Sequence, residues 1–355
     1  MSVREIGART GLSTSTVSLA LRGRRGVAVA TRQRVLEAAR ELGYDLRRLR
    51  RPQPARAADP APPAPRGQRI AIVYPAEGGL EAVVRAANYG RYLRGIQSAA
   101  RAVGVDLVFL PAVNGEVDEL FQFVFGESGA PEGVILLGLG DEAPAVQRAL
   151  TRPAPVVLLS RYVPELPCSW TSVDHVRAAD LMTEHLIERG YETIAFLASG
   201  LAQRSWQRQR RHGYLNAMAR HGRAPDPAGP LVDGVTPDDV ARLARLVRQG
   251  GDAVAVFAAA DHLALELRRA LAARGLEPPR DYGLAGYDNI ADEIAGQAVQ
   301  LTSIGFPRER MGALALRMVS ELAADPLLEQ QHIVVAPELH VRASTAGPAR
   351  RGPAG

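Results

Sequence analysis

Hydrophobic residues near the N-terminus recur at helical spacing in three short stretches. The patterns predict helices at Val3–Thr10, from Thr14 to about Leu21, and at about Val29–Leu42. Gly11 follows the first stretch as a stop signal, and Ser13 stands at the N-cap position of the second. The chain therefore begins with a predicted group of three short helices.

The second predicted helix has an apolar face and a small polar face. Val17, Ala20 and Leu21 form the apolar stripe that a core would bury. The other face carries Ser15, Ser18, Leu19 and Arg22, with Thr14 at the helix start. Two short helices joined by a glycine-containing turn are typical of a helix-turn-helix, whose second helix enters the major groove of DNA. The alternative is a small helical bundle that contacts other proteins.

From Arg69 onward, short apolar runs alternate with amphipathic stretches. The predicted strands are Ile70–Tyr74, Asp106–Leu110, Gly133–Leu137, Val156–Leu159, Ile194–Leu197, Ala253–Phe257 and Gly283–Gly286. The predicted helices are Val84–Val103, Val176–Arg189, Gln207–Arg220, Val240–Arg248 and Asp261–Arg274. Apolar strands that alternate with helices indicate parallel sheets covered on both faces. Two such series predict an α/β protein with two Rossmann-like lobes, which bind ligands at the carboxyl ends of their strands.

A proline-rich segment separates these two regions. Residues 51–67 have no apolar periodicity and are expected to form an extended linker. The predicted organisation is a helix-turn-helix head at residues 1–50, the linker at 51–67, a two-lobed domain at 68–345 and a disordered tail at 346–355.

Charge is distributed unevenly along the chain. Residues 1–56 hold 13 arginines and four acidic residues, a balance of +9, although the whole chain carries only +5. A basic head on a mildly acidic body is typical of a module that binds a polyanion. All 43 basic residues are arginine, which suggests GC-rich coding bias. Such bias explains arginine over lysine, but it does not explain why acidic residues avoid the head.

Composition and motifs exclude several classes of protein. No run of 18 apolar residues is present, so no membrane-spanning helix and no membrane partner are expected. Met1–Glu5 contain no apolar segment, so we expect no secretory signal and a cytoplasmic location. The single cysteine, Cys168, excludes an internal disulfide framework and a Cys-based zinc site. P-loop and His-Glu-x-x-His motifs are absent from the sequence. Ser172, Asp174 and His175 lie close in sequence, which we interpret as coincidence and not as a catalytic triad. We therefore expect neither an enzyme nor a metal or other cofactor.

Two runs in the head, VREIGARTGLSTSTVSLALRG and VAVATRQRVLEAARELGY, carry a specific pattern. Its matching positions are Gly11, Ser13, Thr16, Val17, Ser18, Thr31, Arg32, Val35, Ala38, Leu42 and Tyr44. On these positions the head resembles the DNA-binding head of the lactose-repressor (LacI-type) family of bacterial transcription regulators. The resemblance implies that Thr14, Ser15 and Leu19 read bases, and that Ser13, Thr16 and Thr31 hold phosphates. The predicted DNA-binding residues are Ser13, Thr14, Ser15, Thr16, Ser18, Leu19, Arg22, Arg25, Thr31, Tyr44, Arg47 and Arg48.

Three departures from the family pattern bear on DNA binding. Leu19 replaces an arginine that is common at its position, so direct reading of a guanine there is in doubt. Ala28 replaces the Ser or Thr that caps the third helix. Pro52 and Pro54 would shorten the hinge helix that follows the head in this family, so we expect its minor-groove wedge to be weak or absent.

The resemblance continues through the body, in PVVLLSRY, HLIERGYETIAFL, YGLAGYDNI and LTSI. It implies the clamp fold of periplasmic sugar-binding proteins, with the chain crossing between lobes near Ser169, Ile304 and His332. The lobes are then expected at about 68–169 with 305–331, and at about 170–304 with 332–345.

The same resemblance implies an effector site in the clamp. Arg210, three residues before Gly213, matches an arginine that grips a sugar hydroxyl, and Asp288 matches an aspartate that accepts hydrogen bonds from the other side. An arginine and an aspartate facing each other across a cleft suit a neutral polyol. The alternatives are that Arg210 is solvated and that the aromatic residues are ordinary core. The predicted effector-binding residues are Tyr89, Arg161, Trp206, Arg210, Asp261, Asp288 and Phe306.

The sequence therefore predicts a homodimeric transcriptional regulator, most simply a repressor. It would bind near-palindromic operator DNA under the control of a sugar-like effector. The tail has no leucine heptad, so no C-terminal tetramer helix is expected. Two alternatives are a solute-binding clamp without DNA-binding function and a sugar-modifying enzyme on the same fold, for which no catalytic constellation is evident.

Overall fold

The computed structural model describes most of the chain in two compact units, Met1–Pro62 and Pro63–Gly355. The described residues are 3–21, 29–42, 67–75, 80–112, 130–138, 146, 150, 154–161, 168–201, 204–223, 231–250, 253–295, 300–325 and 327–347. Within these ranges, no helix combines the length and the apolar character that crossing a membrane requires.

The first unit contains three helices at the predicted positions, α1 (Val3–Thr10), α2 (Thr14–Leu21) and α3 (Val29–Glu41). Helix α1 ends at Gly11, whose φ of +70° is a left-handed conformation that glycine adopts without a Cβ clash. Apolar side chains from all three helices meet in one small core. Its buried members are Ile6, Val17, Ala20, Leu21, Val35, Ala38 and Ala39. The apolar stripe predicted for α2 is therefore the face that the head buries.

The second unit contains two six-stranded sheets. The first sheet comprises β1 (Arg69–Pro75), β2 (Asp106–Ala112), β3 (Gly133–Leu137), β4 (Val156–Leu159), β5 (Ser169–Val173) and β11 (His332–Val335). Its strands are all parallel, in the order β11-β5-β4-β3-β1-β2. Strands β3 and β4 are buried along their whole length, as expected for a parallel sheet packed on both faces.

The second sheet has the same architecture with one antiparallel edge strand. It comprises β6 (Thr193–Ala198), β7 (Leu231–Asp233), β8 (Val254–Ala258), β9 (Gly283–Tyr287), β10 (Thr302–Gly305) and β12 (Glu338–His340). The order is β12-β10-β9-β8-β6-β7, and only β12 runs antiparallel to its neighbour within this sheet. The two parallel sheets confirm the predicted α/β fold class.

Helices pack against each sheet and complete the two lobes. The first lobe consists of the first sheet with α4 (Leu80–Val103) and α10 (Arg308–Ala324). The second lobe consists of the second sheet with α5 (His175–Glu188), α6 (Ser205–Arg220), α7 (Pro237–Gly250) and α8 (Asp261–Ala272). A short helix, α9 (Ala291–Ala295), follows β9, and a 3-10 turn at Ala343–Thr345 follows β12.

The chain crosses between the lobes three times, as expected, but two crossings lie later than predicted. Strands β5 and β11 pair with each other in the first sheet. The crossings therefore follow Val173 and Val335, whereas the sequence placed them near Ser169 and His332. Strand β5 escaped prediction because its sequence, SWTSV, has little aliphatic character, although every one of its residues is buried. The other elements that were not predicted are strands β7, β10, β11 and β12 and helices α9 and α10.

Candidate functional site

Helix α2 of the head begins at a side-chain cap. The Ser13 hydroxyl accepts a hydrogen bond from the Thr16 backbone N–H at 3.1 Å, and its oxygen lies 2.8 Å from the Thr16 hydroxyl oxygen. Such a cap satisfies one of the backbone donors that the first turn of a helix leaves free. Ser13 and Thr14 are exposed and Thr16 is half-buried, so the polar start of α2 faces solvent.

A hydrogen bond connects helix α3 to the end of helix α1. The Arg34 guanidinium donates to the Thr10 carbonyl at 3.0 Å, and the Thr10 hydroxyl donates to the Ile6 carbonyl at 2.8 Å. A Cβ at Gly7 would lie only 2.9 Å from the Leu12 carbonyl oxygen, so α1 approaches the following turn closely. These contacts give α2 a defined support inside the head.

The structure describes part of the predicted DNA-binding set. Ser13, Thr14 and Thr16 gather at the start of α2, and Thr31 is half-buried in α3. Ser15, Ser18 and Leu19 lie within α2, with side chains outside the described part of the structure. The remaining predicted residues lie outside the described ranges; they are Arg22, Arg25, Tyr44, Arg47 and Arg48. The departures from the family pattern at Ala28, Pro52 and Pro54 lie outside these ranges as well.

In the second unit, Arg210 of α6 lies in a buried polar cluster. Its guanidinium donates to the Ala259 carbonyl and to His175 Nδ1, the latter at 3.4 Å. The guanidinium carbon also lies 3.5 Å from the centroid of the Tyr287 ring. Only 5% of Arg210 is exposed, so it is not a solvated residue of an arginine-rich helix.

His175 is held in its neutral form by these neighbours. Its Nδ1 faces the Arg210 guanidinium and lies 2.8 Å from the Tyr287 hydroxyl. Because a guanidinium can only donate, Nδ1 must accept, which places the imidazole proton on Nε2. Burial, with the charges of Arg210 and Arg161, lowers the pKa of His175 well below its usual range. The imidazole therefore orients Arg210 without adding charge.

Asp288 follows β9 in a backbone conformation that is rare for a residue with a side chain. Its φ is +108°, and that of Asn289 is +53°. Such conformations cluster at functional sites, and this one lies at the carboxyl end of a parallel strand. Asp288 Oδ1 accepts a hydrogen bond from Arg308 at 3.3 Å and lies 3.9 Å from a terminal guanidinium nitrogen of Arg210. The Asp288 carboxylate therefore interacts with both Arg308 and Arg210.

Asp261, at the start of α8, holds this turn from behind. Its Oδ2 accepts from the backbone N–H groups of Ile290 and Ala291 at 2.7 and 3.0 Å. Its Oδ1 accepts from the Ser303 hydroxyl at 2.6 Å. The residue is fully buried, and burial with the nearby charge of Asp288 raises the pKa of Asp261 to about 7. Asp261 therefore positions the Asp288 turn through its hydrogen bonds within the protein.

Arg161 follows β4 in the first lobe and contacts Trp206 of α6 in the second lobe. Its guanidinium donates to the Gly138 carbonyl at 2.7 Å and to the Ser160 carbonyl at 3.1 Å. The guanidinium carbon lies 4.0 Å from the centroid of the Trp206 ring. Because Trp206 belongs to the second lobe, this cation–π contact spans the cleft.

Two tyrosines of α4 line the same side of the first lobe. The Tyr92 hydroxyl donates to the Ser160 hydroxyl at 2.9 Å, and Ser160 has a φ of +65°. The half-buried Tyr89 occupies the space in front of Gly138, where a Cβ would lie 2.2 Å from the Tyr89 hydroxyl oxygen. Tyr92 thus connects α4 to the residue of positive φ that follows β4.

Arg308 and Phe306 complete the set of residues between the lobes. The Arg308 guanidinium carbon lies 3.9 Å from the Phe306 ring centroid, and this ring lies 6.1 Å from the ring of Tyr287. Arg308 begins α10 of the first lobe and is 1% exposed. The residues gathered here are called the cleft cluster; they are Tyr92, Arg161, His175, Trp206, Arg210, Tyr287, Asp288, Phe306 and Arg308.

The arrangement of the charged groups differs from the sequence prediction. Arg210 and Asp288 both belong to the second lobe, so they do not face each other across the cleft. The group that meets Asp288 from the first lobe is Arg308. Sequence reasoning missed Arg308 and His175, although each begins a helix shortly after the carboxyl end of a strand. Tyr92 lies inside α4 and gave no signal.

The cluster has no catalytic arrangement of Ser172, Asp174 and His175. Asp174 caps α5 by accepting from the Arg177 backbone N–H at 2.8 Å, and the Ser172 hydroxyl donates to the Val173 carbonyl at 3.4 Å. His175 faces Tyr287 and Arg210 instead. Across the described ranges, no three His, Cys, Asp or Glu side chains gather in a way that could hold a metal ion.

Comparisons with known proteins agree for both units. Residues 2–45 match the family model for bacterial regulatory proteins of the lacI family, and residues 183–345 match the periplasmic binding protein-like domain. The HTH-type transcriptional regulator CelR of Thermobifida fusca is 28% identical over 96% of this chain and 96% of its own length. The ribose operon repressor of Escherichia coli K12 is 25% identical over 97% of this chain and 99% of its own.

A solved structure aligns with nearly the whole length of the chain. The structure of the transcriptional regulator CelR in complex with cellobiose aligns with a TM-score of 0.66 and 27% sequence identity. The alignment covers 97% of this chain and 99% of that one. The similarity therefore extends through the head and both lobes.

Proposed function

The chain belongs to the LacI family of bacterial regulatory proteins, and on that premise we propose that it represses transcription by binding operator DNA under the control of a small carbohydrate-like effector. The observation that carries the proposal is the combination in one chain of a Ser13-capped α2 and the buried Arg210–Asp288 site. The relatives named above are transcriptional regulators, and one of them, CelR, has a solved structure in complex with cellobiose.

The head supplies the DNA-binding part of this function. Helix α2 presents short hydroxyl side chains at its exposed start, which suit close approach to base edges and phosphates. The balance of +9 over residues 1–56 supplies affinity for the phosphate backbone without reading sequence. We assign base reading to Thr14, Ser15 and Leu19, and phosphate contacts to Ser13 and Thr16.

The cleft cluster supplies the effector-binding part. It lies at the carboxyl ends of β4 and β9, where parallel α/β sheets bind their ligands. Arg210 and Asp288 offer a donor and an acceptor from the second lobe, and Arg161 approaches from the first lobe. A ligand that contacts both lobes changes their relative angle because it binds one arrangement better than the other.

Regulation then follows from coupling between the two sites. We propose that the protein acts as a homodimer, since a two-fold protein matches a near-palindromic operator. A change in lobe angle alters how well two heads dock together, with a coupling free energy of about 1–3 kcal/mol. The proposal includes action in the cytoplasm, where the chromosomal DNA lies, and includes no catalytic step. A solute-binding clamp without DNA-binding function is not favoured, because the head and α2 are intact.

The test is selection of preferred duplexes from a random pool by the purified full-length protein. We expect enrichment of a near-palindromic sequence, and binding that weakens steeply as salt is added. Replacing Ser15 and Leu19 together by alanine should change the selected sequence. Arg25→Ala should weaken binding to all duplexes about equally, because a phosphate contact carries no sequence information.

Two results would contradict this function. One is a wild-type protein that does not distinguish selected from random duplexes. The other is a double variant at Ser15 and Leu19 that selects the wild-type sequence unchanged, which would remove α2 from the recognition role.

A further inference from the structure

Two buried arginines in the cleft cluster share one carboxylate. Arg308 is 1% exposed and Arg210 is 5% exposed, and among the described residues the acidic group within 4 Å of both is Asp288. A guanidinium does not lose its proton in a protein, so its burial must be balanced by negative charge. One carboxylate cannot balance two guanidinium groups. Within the described part of the chain, the pair therefore carries one positive charge more than the carboxylate it shares.

Arg308 is also short of hydrogen-bond acceptors. Its side chain donates to Asp288 at 3.3 Å, and its charged plane lies over the Phe306 ring. Its Nε is buried and has no hydrogen-bond partner. A guanidinium has five N–H donors, and buried donors without acceptors are rare in folded proteins. The Arg308 side chain can therefore donate to a further acceptor, which the described residues do not provide.

The surrounding charges do not remove the imbalance. Arg161 and Arg204 lie on the Trp206 ring, 4.0 and 5.7 Å from its centroid, and add positive charge at the mouth of the cleft. Asp261 is another buried carboxyl group nearby, and burial with the charge of Asp288 raises its pKa to about 7, so it carries only part of a negative charge near neutral pH. His175 is neutral because of burial and the charges of Arg210 and Arg161. Among the described residues of the cleft cluster, positive charges thus outnumber negative ones.

We propose that the effector is an anion, a carbohydrate or related polyol that carries a carboxylate or a phosphate, and that Arg308 together with Arg210 binds its negative group. This rests on the proposed function, because it names the ligand class of the same cleft. Arginine suits both groups, since its planar fork donates two parallel hydrogen bonds to a carboxylate or a phosphate. A neutral sugar would supply acceptors but would leave the surplus charge in place.

The experiment compares matched neutral and anionic probes on the full-length protein. Thermal unfolding is measured at constant ionic strength with D-glucose and cellobiose as neutral probes. The anionic probes are D-gluconate, D-glucuronate, glucose 6-phosphate and inorganic phosphate. We expect a saturable rise in melting temperature with anionic probes and none with glucose at equal concentration, because ligands selective for the folded state stabilise it. The carboxylate and phosphate arms show which group the site prefers.

Substitutions test whether Arg308 is the residue that binds the anionic probes. Arg308→Gln should abolish the rise in melting temperature with anionic probes, and Arg308→Lys should weaken binding at least tenfold because it keeps the charge but loses the fork. Asp288→Asn should lower the melting temperature without a ligand and enlarge the response to inorganic phosphate. Arg310→Gln, the same change on α10 at an exposed arginine, is the matched control and should respond like the wild type.

The results that overturn the proposal are specific. One is that no anionic probe, inorganic phosphate included, stabilises the wild type more than it stabilises Arg308→Gln. The other is saturable binding of a neutral sugar with equal affinity in the wild type and in Arg308→Gln. Duplex selection by the wild-type protein is measured on the same preparation, so failure of the proposed function and failure of the anionic effector are separate outcomes.

Discussion

The guanidinium carbon of Arg161 lies 4.0 Å from the centroid of the Trp206 ring, and this contact joins the first lobe to the second. A cation–π contact contributes about 0.5–2 kcal/mol, depending on how far it is desolvated. Loss of the contact should therefore shift the ratio of closed to open cleft by roughly 2- to 30-fold, since 1.4 kcal/mol corresponds to a factor of ten.

Tryptophan fluorescence provides the measurement, because the chain has only Trp170 and Trp206. In a Trp170→Phe background, Arg161→Ala should shift the emission of Trp206 to longer wavelength as the ring becomes hydrated. The control is the Trp206→Phe background, in which the same change should leave the emission of Trp170 alone. Trp170 is buried in β5 and stacks on His332 at a centroid distance of 4.5 Å. Equal shifts in both backgrounds would mean a general structural change, not cleft opening.

The cap of α2 gives a prediction that separates stability from DNA contact. Ser13→Ala removes the side-chain oxygen that accepts from Thr16 N–H, so the head should lose about 1 kcal/mol of stability. Ser13→Asp restores the cap but places a negative charge where a phosphate is proposed to lie. We expect Ser13→Asp to retain head stability and lose DNA affinity, measured by circular dichroism on heating and by fluorescence anisotropy with a selected duplex.

Thr14→Ala is the matched control for the cap. Thr14 is an exposed neighbour at the first position of α2 and is not the capping residue, so the melting of the head should be unchanged. If Ser13→Asp bound the duplex as tightly as wild type, Ser13 would have only a capping role.

Two helical glycines, Gly213 in α6 and Gly90 in α4, differ in the space around them, so replacing each by alanine should change stability in opposite directions. A Cβ at Gly213 would lie 2.1 Å from the Val176 carbonyl oxygen, so Gly213→Ala must push the helices apart. We expect a loss of about 1–3 kcal/mol in the free energy of unfolding, as for other overpacked sites. In α4, a Cβ at Gly90 has its nearest neighbour at 4.0 Å, so Gly90→Ala should gain about 0.5–1 kcal/mol from helix propensity. Urea unfolding of both variants measures the difference, and a destabilising Gly90→Ala would contradict it.

The three-helix head and most central strands were predictable, because their apolar positions follow helical or continuous spacing. Strand β5 was not, since burial of SWTSV depends on the strands paired on either side of it, β4 and β11. Edge strand β12 has an exposed glutamate and half-buried neighbours, and no periodicity marks it. The local sequence pattern indicates only local propensity, whereas these strands form because they pair with strands that are distant in sequence.

The same distinction explains the site. The places of Arg210 and Asp288 in the cleft were expected from motifs that the family resemblance carried. The pairing of Arg308 with Asp288 was not, because it joins the start of α10 to the turn after β9 across the two lobes. Asp261 was predicted to bind the effector, and no feature of the sequence indicated that its carboxyl group accepts three hydrogen bonds from residues distant in the chain.

Asp261 also makes stability depend on pH. Burial, followed by the charge of Asp288, raises the pKa of Asp261 to about 7, above its ordinary value near 4. The folded protein therefore holds a proton that the unfolded chain releases between these two values. The stabilisation is complete below about pH 4 and is lost as pH rises through about 7. We expect the wild type to lose stability relative to Asp261→Asn between pH 5 and pH 8.

The asparagine variant isolates this proton because it keeps the shape of the site. Its amide oxygen can accept from Ile290 and Ala291 N–H, and its amide group can donate to Ser303. The measurement is the difference in melting temperature between wild type and Asp261→Asn at each pH, in which shared histidine titrations cancel. Asp281→Asn is the control: hydrogen bonding to Arg280 lowers the pKa of Asp281, so its contribution is already constant above pH 5. Parallel curves for wild type and Asp261→Asn would show that Asp261 is ionised throughout this range, and its three hydrogen bonds would then outweigh its burial.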